Sequence, residues 1–170
     1  MTKTIKIIIG ISILGVLALA IVTLLVMKNV TSSLDDPTSV LLEALDQNDY
    51  KKAEQSIHQG ADVNFAIMGR SILHQSVTDN DVADVDFLIK HGADVNTRSK
   101  FGRSPLHEAA LYGHYDIAKR LIEAGANVNA RNPRGETPLF YAEEGLLAGP
   151  PHTPMNDKVA ELLKSYRATR

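Results

Sequence analysis

The sequence predicts an all-α fold, a solenoid of helix–turn–helix units joined by hairpin loops and preceded by an N-terminal transmembrane helix. Three observations predict it. The triplets Gly69-Arg70-Ser71, Gly102-Arg103-Ser104 and Gly135-Glu136-Thr137 start 33 residues apart. Leu73-His74, Leu106-His107 and Leu139-Phe140 keep that phase, as do Gly92-Ala93-Asp94-Val95-Asn96 and Gly125-Ala126-Asn127-Val128-Asn129. Ahead of them, residues 7–27, IIIGISILGVLALAIVTLLVM, carry no charge. A fixed period of this length marks units that bury their apolar faces only by stacking on one another.

The apolar run comes first in the chain. At about 1.5 Å per residue it spans roughly 30 Å as a helix, the thickness of a bilayer's hydrocarbon core. Lys3 and Lys6 precede it, and Ala18-Leu19-Ala20 has the form of a signal cleavage site. Because Ile21, Val22, Leu24, Leu25 and Val26 carry the run past that site, an uncleaved signal anchor is expected rather than a removed leader. Lys3 and Lys6 stand on one side of the run, and Lys28 stands on the other with Asp35 and Asp36 soon after. The positive-inside tendency places residues 1–6 in the cytoplasm and 28–170 beyond the inner membrane, in the periplasm of a Gram-negative cell. A cytoplasm-facing domain is the alternative topology. The lipid bilayer is therefore an expected partner through 7–27.

Charge and cysteine content narrow the function classes. Removing Lys3 and Lys6 from the 18 basic residues leaves 16 against 20 acidic ones, a net charge of −4, which argues against a nucleic-acid partner. The absence of cysteine excludes lipidation at an N-terminal Cys and fits an oxidising compartment without requiring one.

Residues 28–37, KNVTSSLDDP, read as a polar tether in which Pro37 breaks any continuing helix. The folded region is expected over 38–170, divided into 38–68, 69–101, 102–134 and 135–170. In the third unit Ser104 is a helix N-cap and Pro105 fills the first helical position, where its missing N–H costs nothing. Leu106, Ala109 and Ala110 form the packing face of a short helix that Gly113 ends in the left-handed conformation. A second helix follows with Ile117, Ala118, Leu121 and Ile122 inward, stopped by Gly125. NVNARNPRGE then makes an extended, turn-rich excursion to the next unit.

These residues resemble the ankyrin repeat family, whose units carry a Thr-Pro-Leu-His box, an Ala-Ala pair, a Gly-His pair and a Gly-Ala-Asp-x-Asn ending. Residues 102–134 match almost throughout, at Ser104-Pro105-Leu106-His107, Ala109-Ala110, Gly113-His114 and Gly125 to Asn129. Residues 69–101 match more loosely, with Ile72 in place of Pro, Ser76-Val77 in place of the Ala pair and Asn80-Asp81 in place of Gly-His. The resemblance implies that His74 and His107 hydrogen-bond backbone to hold neighbouring loops.

The end units deviate as caps. Lys52 and Ser56 replace the apolar residues seen as Ile117 and Leu121, and Lys164 replaces Ile122, as expected where one face meets water. Ala142 and Val159 lie 17 residues apart, where Ala109 and Ile117 lie 8 apart. The extra residues fall in GLLAGPPHTPMND, 145–157, which reads as an irregular loop between the two cap helices.

A catalytic or metal site is not legible. His58 and His91 sit near helix C-termini, where the dipole favours an imidazolium. No His-x-x-x-His pair, no Gly-x-Ser-x-Gly elbow and no phosphate-cradling loop occurs. Asp81, Asp84 and Asp86 lack the Gly and terminal Glu of a calcium loop and read as a solvated acidic face. No cofactor is expected, and a metal-dependent enzyme using His152 and Asp157 in the 145–157 loop is the weakest alternative.

What remains is surface. By resemblance to the family, partners are met along the concave side by loop tips and by the flanks of first helices. The tip residues are Ile67, Met68 and Arg70, then Lys100, Phe101 and Arg103, then Pro133, Arg134 and Glu136. The flank residues are Asp46, Gln47, Thr78, Asp79, Leu111, Tyr112 and Glu144. Phe101 and Tyr112 stand out as aromatics the framework does not need. The expected function is non-catalytic binding of a protein partner. A membrane-tethered binder of this size is similar to immunity proteins that neutralise envelope-targeting toxins; a scaffold or accessory factor for a periplasmic enzyme and a cytoplasm-facing adaptor are the alternatives.

Overall fold

The computed structural model describes residues 36–144 and 152–169. The expected transmembrane span 7–27, all but the last two residues of the expected tether, and residues 145–151 of the expected loop lie outside them. Among the described residues no helix is long and apolar enough to cross a membrane.

Among the described residues four helix pairs follow one another: α1 (Pro37–Asp46) with α2 (Tyr50–His58), α3 (Ile72–Thr78) with α4 (Val82–Lys90), α5 (Pro105–Tyr112) with α6 (Tyr115–Glu123), and α7 (Pro138–Glu144) with α8 (Pro154–Ser165). Between α2 and α3 the excursion closes into a short antiparallel hairpin, β1 (Ala66–Ile67) on β2 (Arg70–Ser71). Pro37 does not end a tether but opens α1. It occupies the first turn, while the Asp36 carboxylate accepts the Ser39 N–H at 3.1 Å, and a proline with an acidic cap starts a helix as readily as it breaks one.

The central helices bury the faces their spacing assigns. Leu106, Ala109 and Ala110 on α5 and Ile117, Ala118 and Leu121 on α6 are wholly inside, and Leu41, Leu73, Leu88 and Leu163 continue that core through the other units. Each such leucine contributes about 2 kcal/mol relative to an exposed one. Gly113 ends α5 at φ 71°, as its place after the apolar face requires.

Two polar ladders tie unit to unit. In the first, His74 Nε2 lies 3.0 Å from the Arg103 carbonyl and His107 Nε2 lies 3.2 Å from the Glu136 carbonyl, each bridging to the next unit. The Ser104 N–H donates to His107 Nδ1 at 3.0 Å, so the proton must sit on Nε2, where it is given to Glu136. In the second, the last Asn of each Gly-Ala-Asx-Val-Asn ending accepts a backbone N–H of the following unit: Asn64 from Asp94 at 2.8 Å, Asn96 from Asn127 at 2.8 Å and Asn129 from Thr169 at 2.6 Å.

The caps depart from expectation at two places. Ser56 does not face water: it is buried, and its hydroxyl donates to the Ala53 carbonyl at 2.7 Å, so a small polar residue serves as core once its own helix satisfies it. Lys52 stays at the surface, paired with Glu43 at 3.0 Å. At the other end, Pro154 to Asp157 are not loop but the first turn of α8. Thr153 is the N-cap, Pro154 sits at N1, and the Asn156 amide oxygen accepts the Thr153 N–H at 2.9 Å. The buried Asn156 amide also donates to the Ala110 and Leu111 carbonyls at 2.9 and 3.0 Å, which seats the start of α8 on the end of α5.

Candidate functional site

Among the described residues, the hairpin tips and the first helices line two clefts. Tip stacking depends on glycine at two positions. Gly102 has φ 71°, and a Cβ there would lie 2.3 Å from Pro133 Cδ; Gly69 has φ 75°, and a Cβ there would lie 2.9 Å from Lys100 Cβ. Only glycine combines the left-handed turn with so close an approach of the next tip.

The C-terminal cleft, of about 340 Å³, is lined by Phe101, Arg103, Asn132, Pro133, Arg134, Glu136 and Tyr141. Two of its charges, Arg103 and Glu136, are engaged internally. Arg103 Nε meets Glu108 Oε1 at 3.0 Å, and Glu108 is only 2% exposed. Burial pushes the Glu108 carboxyl up, and the nearby Arg103 and Arg70 guanidinium groups oppose that shift. The Arg103 guanidinium also lies 5.3 Å from the Phe101 ring centre and 5.8 Å from that of Tyr141. One repeat on, at the same positions, the arrangement recurs with other groups: the Tyr141 hydroxyl donates to Glu136 at 2.7 Å, and the Asn132 amide donates to the same oxygen at 2.7 Å. These two bonds hold the Glu136 carboxyl below its usual range, while burial above all pushes the Tyr141 phenol up to about 12.

The N-terminal groove, of about 610 Å³, lies between the first two units. Leu42, Leu45 and Ile72 give it an apolar floor, Ile67 and Met68 an apolar rim, and Asp46, Asp79, Asp81 and Asp84 line it with carboxylates. Arg70 and Lys100 stand on the hairpin side. The Arg70 guanidinium donates to Thr78 Oγ1 at 2.5 Å, and Lys100 Nζ lies 5.0 Å from the Phe101 ring centre.

Most expected contact residues lie at the surface. Met68 is 86% exposed, Phe101 58% and Ile67 52%. Asp46, Gln47, Asp79, Lys100, Pro133, Arg134 and Glu144 are exposed too, and Arg70, Thr78, Arg103, Tyr112 and Glu136 are half-buried. Leu111 is a correction: it is 3% exposed and belongs to the core, because the first turn of α8 lies against this end of α5. Tyr112 is less free than expected, since its ring stacks on His114 with centres 5.6 Å apart. The run Asp81, Asp84, Asp86 is not merely solvated. Asp81 caps α4 through the Asp84 N–H at 2.9 Å, Asp84 accepts the Tyr50 hydroxyl at 2.9 Å, and Asp86 pairs with Arg120 at 2.7 Å.

Glu108, Asn132, Tyr141 and Asn156 escape the sequence reading. The period itself held a signal for two of them: Gln75, Glu108 and Tyr141 are 33 residues apart, five residues after Arg70, Arg103 and Glu136 respectively. In the insertion, His152 Nε2 lies 3.0 Å from the Ala142 carbonyl and 3.6 Å from Asp157. Among the described residues no three His, Cys, Asp or Glu side chains come together as metal ligands.

A family model described as ankyrin repeats (3 copies) matches residues 17–132 and 73–166. Comparison with curated proteins finds no match.

Proposed function

The chain belongs to the ankyrin repeat family, and on that premise we propose that it is a non-catalytic module that holds a partner protein along its concave side. The observation that carries this reading is the row of exposed apolar residues at successive tips, Ile67, Met68 and Phe101, each beside a cation or a carboxylate. Such residues lose apolar surface to a partner at no cost in internal hydrogen bonds, and large side chains of this kind anchor interfaces. The full chain, used to capture envelope proteins, retains its partner, and the paired change Met68→Ala with Phe101→Ala weakens capture at least tenfold with an unchanged melting temperature. Undiminished capture by that variant overturns the assigned face.

The apolar run 7–27 supports placing this module at a bilayer, with the repeats on the periplasmic side. There it serves to neutralise a toxin directed at the envelope, or as the scaffold of a periplasmic enzyme. A C-terminal reporter active only outside the cytoplasm tests the placement; activity of its cytoplasmic counterpart instead reverses it.

A further inference from the structure

Some carboxylates of the described residues are neutralised at close range within the chain, Glu143 by Lys164 at 2.6 Å among them. Glu43, Asp86 and Glu108 each meet a Lys or Arg of this chain within 3.0 Å. Asp46, Asp79, Asp81 and Asp84, which converge on the N-terminal groove, meet none. Asp79 is held by the neutral Gln75 amide, at 3.0 and 2.8 Å to its two oxygens. Asp81 is engaged by backbone N–H, and Asp84 by the Tyr50 hydroxyl. The two cations of the lining are turned to other tasks, Arg70 to Thr78 and Lys100 to the Phe101 ring.

Asp84 is the least expected of the four. One period later the same position is Ile117, wholly buried. A carboxylate here is costly to the fold: burial pushes its pKa up, and the Tyr50 hydroxyl only partly opposes this. A cation arriving beside such a group recovers what burial took away. The groove also joins charge to apolar surface. Its floor of Leu42, Leu45 and Ile72 opens onto Ile67 and Met68, the latter flexible in shape and almost free of protein contact.

From this complementarity we infer that the N-terminal groove receives a basic segment of the partner protein, with a Lys or Arg side chain among Asp46, Asp79 and Asp84 and a neighbouring aliphatic side chain against Ile67 and Met68. The inference rests on the concave side being the binding face and adds to it the chemistry of what binds. Steering by the four carboxylates makes association dependent on ionic strength, while the apolar rim supplies contact that salt does not screen.

A display library of random dodecapeptides, panned on the full chain, tests it. Enriched peptides are expected to carry Lys or Arg next to an aliphatic residue, to weaken with added salt, and to bind Asp46→Asn with Asp79→Asn about tenfold less tightly. Both positions are exposed and form no ion pair, so that variant keeps the parent melting temperature. Enriched peptides that are neutral or acidic, or that bind the variant as well as the parent, overturn the inference. A dimer of the full chain dissolved by the same variant also overturns it, since the occupant is then a second copy. Peptides that lose affinity with Phe101→Ala but not with the aspartate changes leave the binding face standing and remove the basic segment. Peptides insensitive to both sets of changes remove both.

Discussion

The clefts at the C-terminal and N-terminal tips use the same repeat positions to opposite ends. At the C-terminal cleft, the residue two places before each first helix and the one five places after it join: Arg103 to Glu108, and Glu136 to Tyr141. In the N-terminal groove the corresponding pair is Arg70 and Gln75, and it does not form; Arg70 turns to Thr78 and Gln75 to Asp79. In the first cleft these two pairs are satisfied internally and stabilise the stack, while Phe101 and Arg134 stay exposed at its edge. The second leaves carboxylates and apolar rim side by side, and among the described residues none of these carboxylates is in an ion pair with the Arg70 and Lys100 that share the lining. Internal pairing therefore distinguishes framework charge from charge available to a partner, within one periodic scaffold.

The largest effect is expected at Arg103. Arg103→Ala removes the cation paired with buried Glu108 and leaves it only the nearby Arg70, and a loss of about 3 kcal/mol or more is expected in denaturant unfolding. A loss under about 1 kcal/mol makes the pair dispensable. Acid probes the same region more gently. Burial holds the His107 imidazole down to about 4 from an ordinary 6.5. The unfolded chain then binds a proton that the native one refuses, so stability rises with pH across that window. The contribution is complete above about pH 6.5, is lost as pH falls through about 4, and reaches about 3 kcal/mol. A melting temperature that falls between pH 7 and 4, with a flatter slope in His107→Gln, checks it.

Gly102→Ala sharpens the comparison at the junction of the two clefts. Its Cβ meets Pro133 at 2.3 Å on a backbone with φ 71°, so the tips must part, at a cost of about 2 kcal/mol. Calorimetry of that variant reads the loss. The smallest effect belongs to the open groove: Asp79→Asn alters unfolding by less than about 0.5 kcal/mol, because no cation loses its partner. A larger loss there shows the groove carboxylate to be framework after all.

The stack was legible because its cause is periodic. Ser104-Pro105, Gly113 and the Gly-Ala-Asx-Val-Asn endings state where helices start, stop and hand over, and His74 and His107 do what their place in the repeat implies. Pairings across units were not legible, because partners 34 to 46 residues apart carry no local signal: Tyr50 with Asp84, Asp86 with Arg120, Asn156 with the end of α5. Leu111 was misplaced for the same reason, since an inserted segment brings α8 over a flank that the other units leave open. Ser56 was misread because a hydroxyl that bonds its own helix no longer needs water.

Site-specific photo-crosslinking in the full chain tests the concave face most directly. A photoreactive residue is placed in turn at Met68, at Phe101 and at Lys119 on the exposed side of α6. The account predicts adducts to one and the same protein from positions 68 and 101, with none from 119. Adducts from 119 alone, or different proteins from 68 and 101, would contradict it.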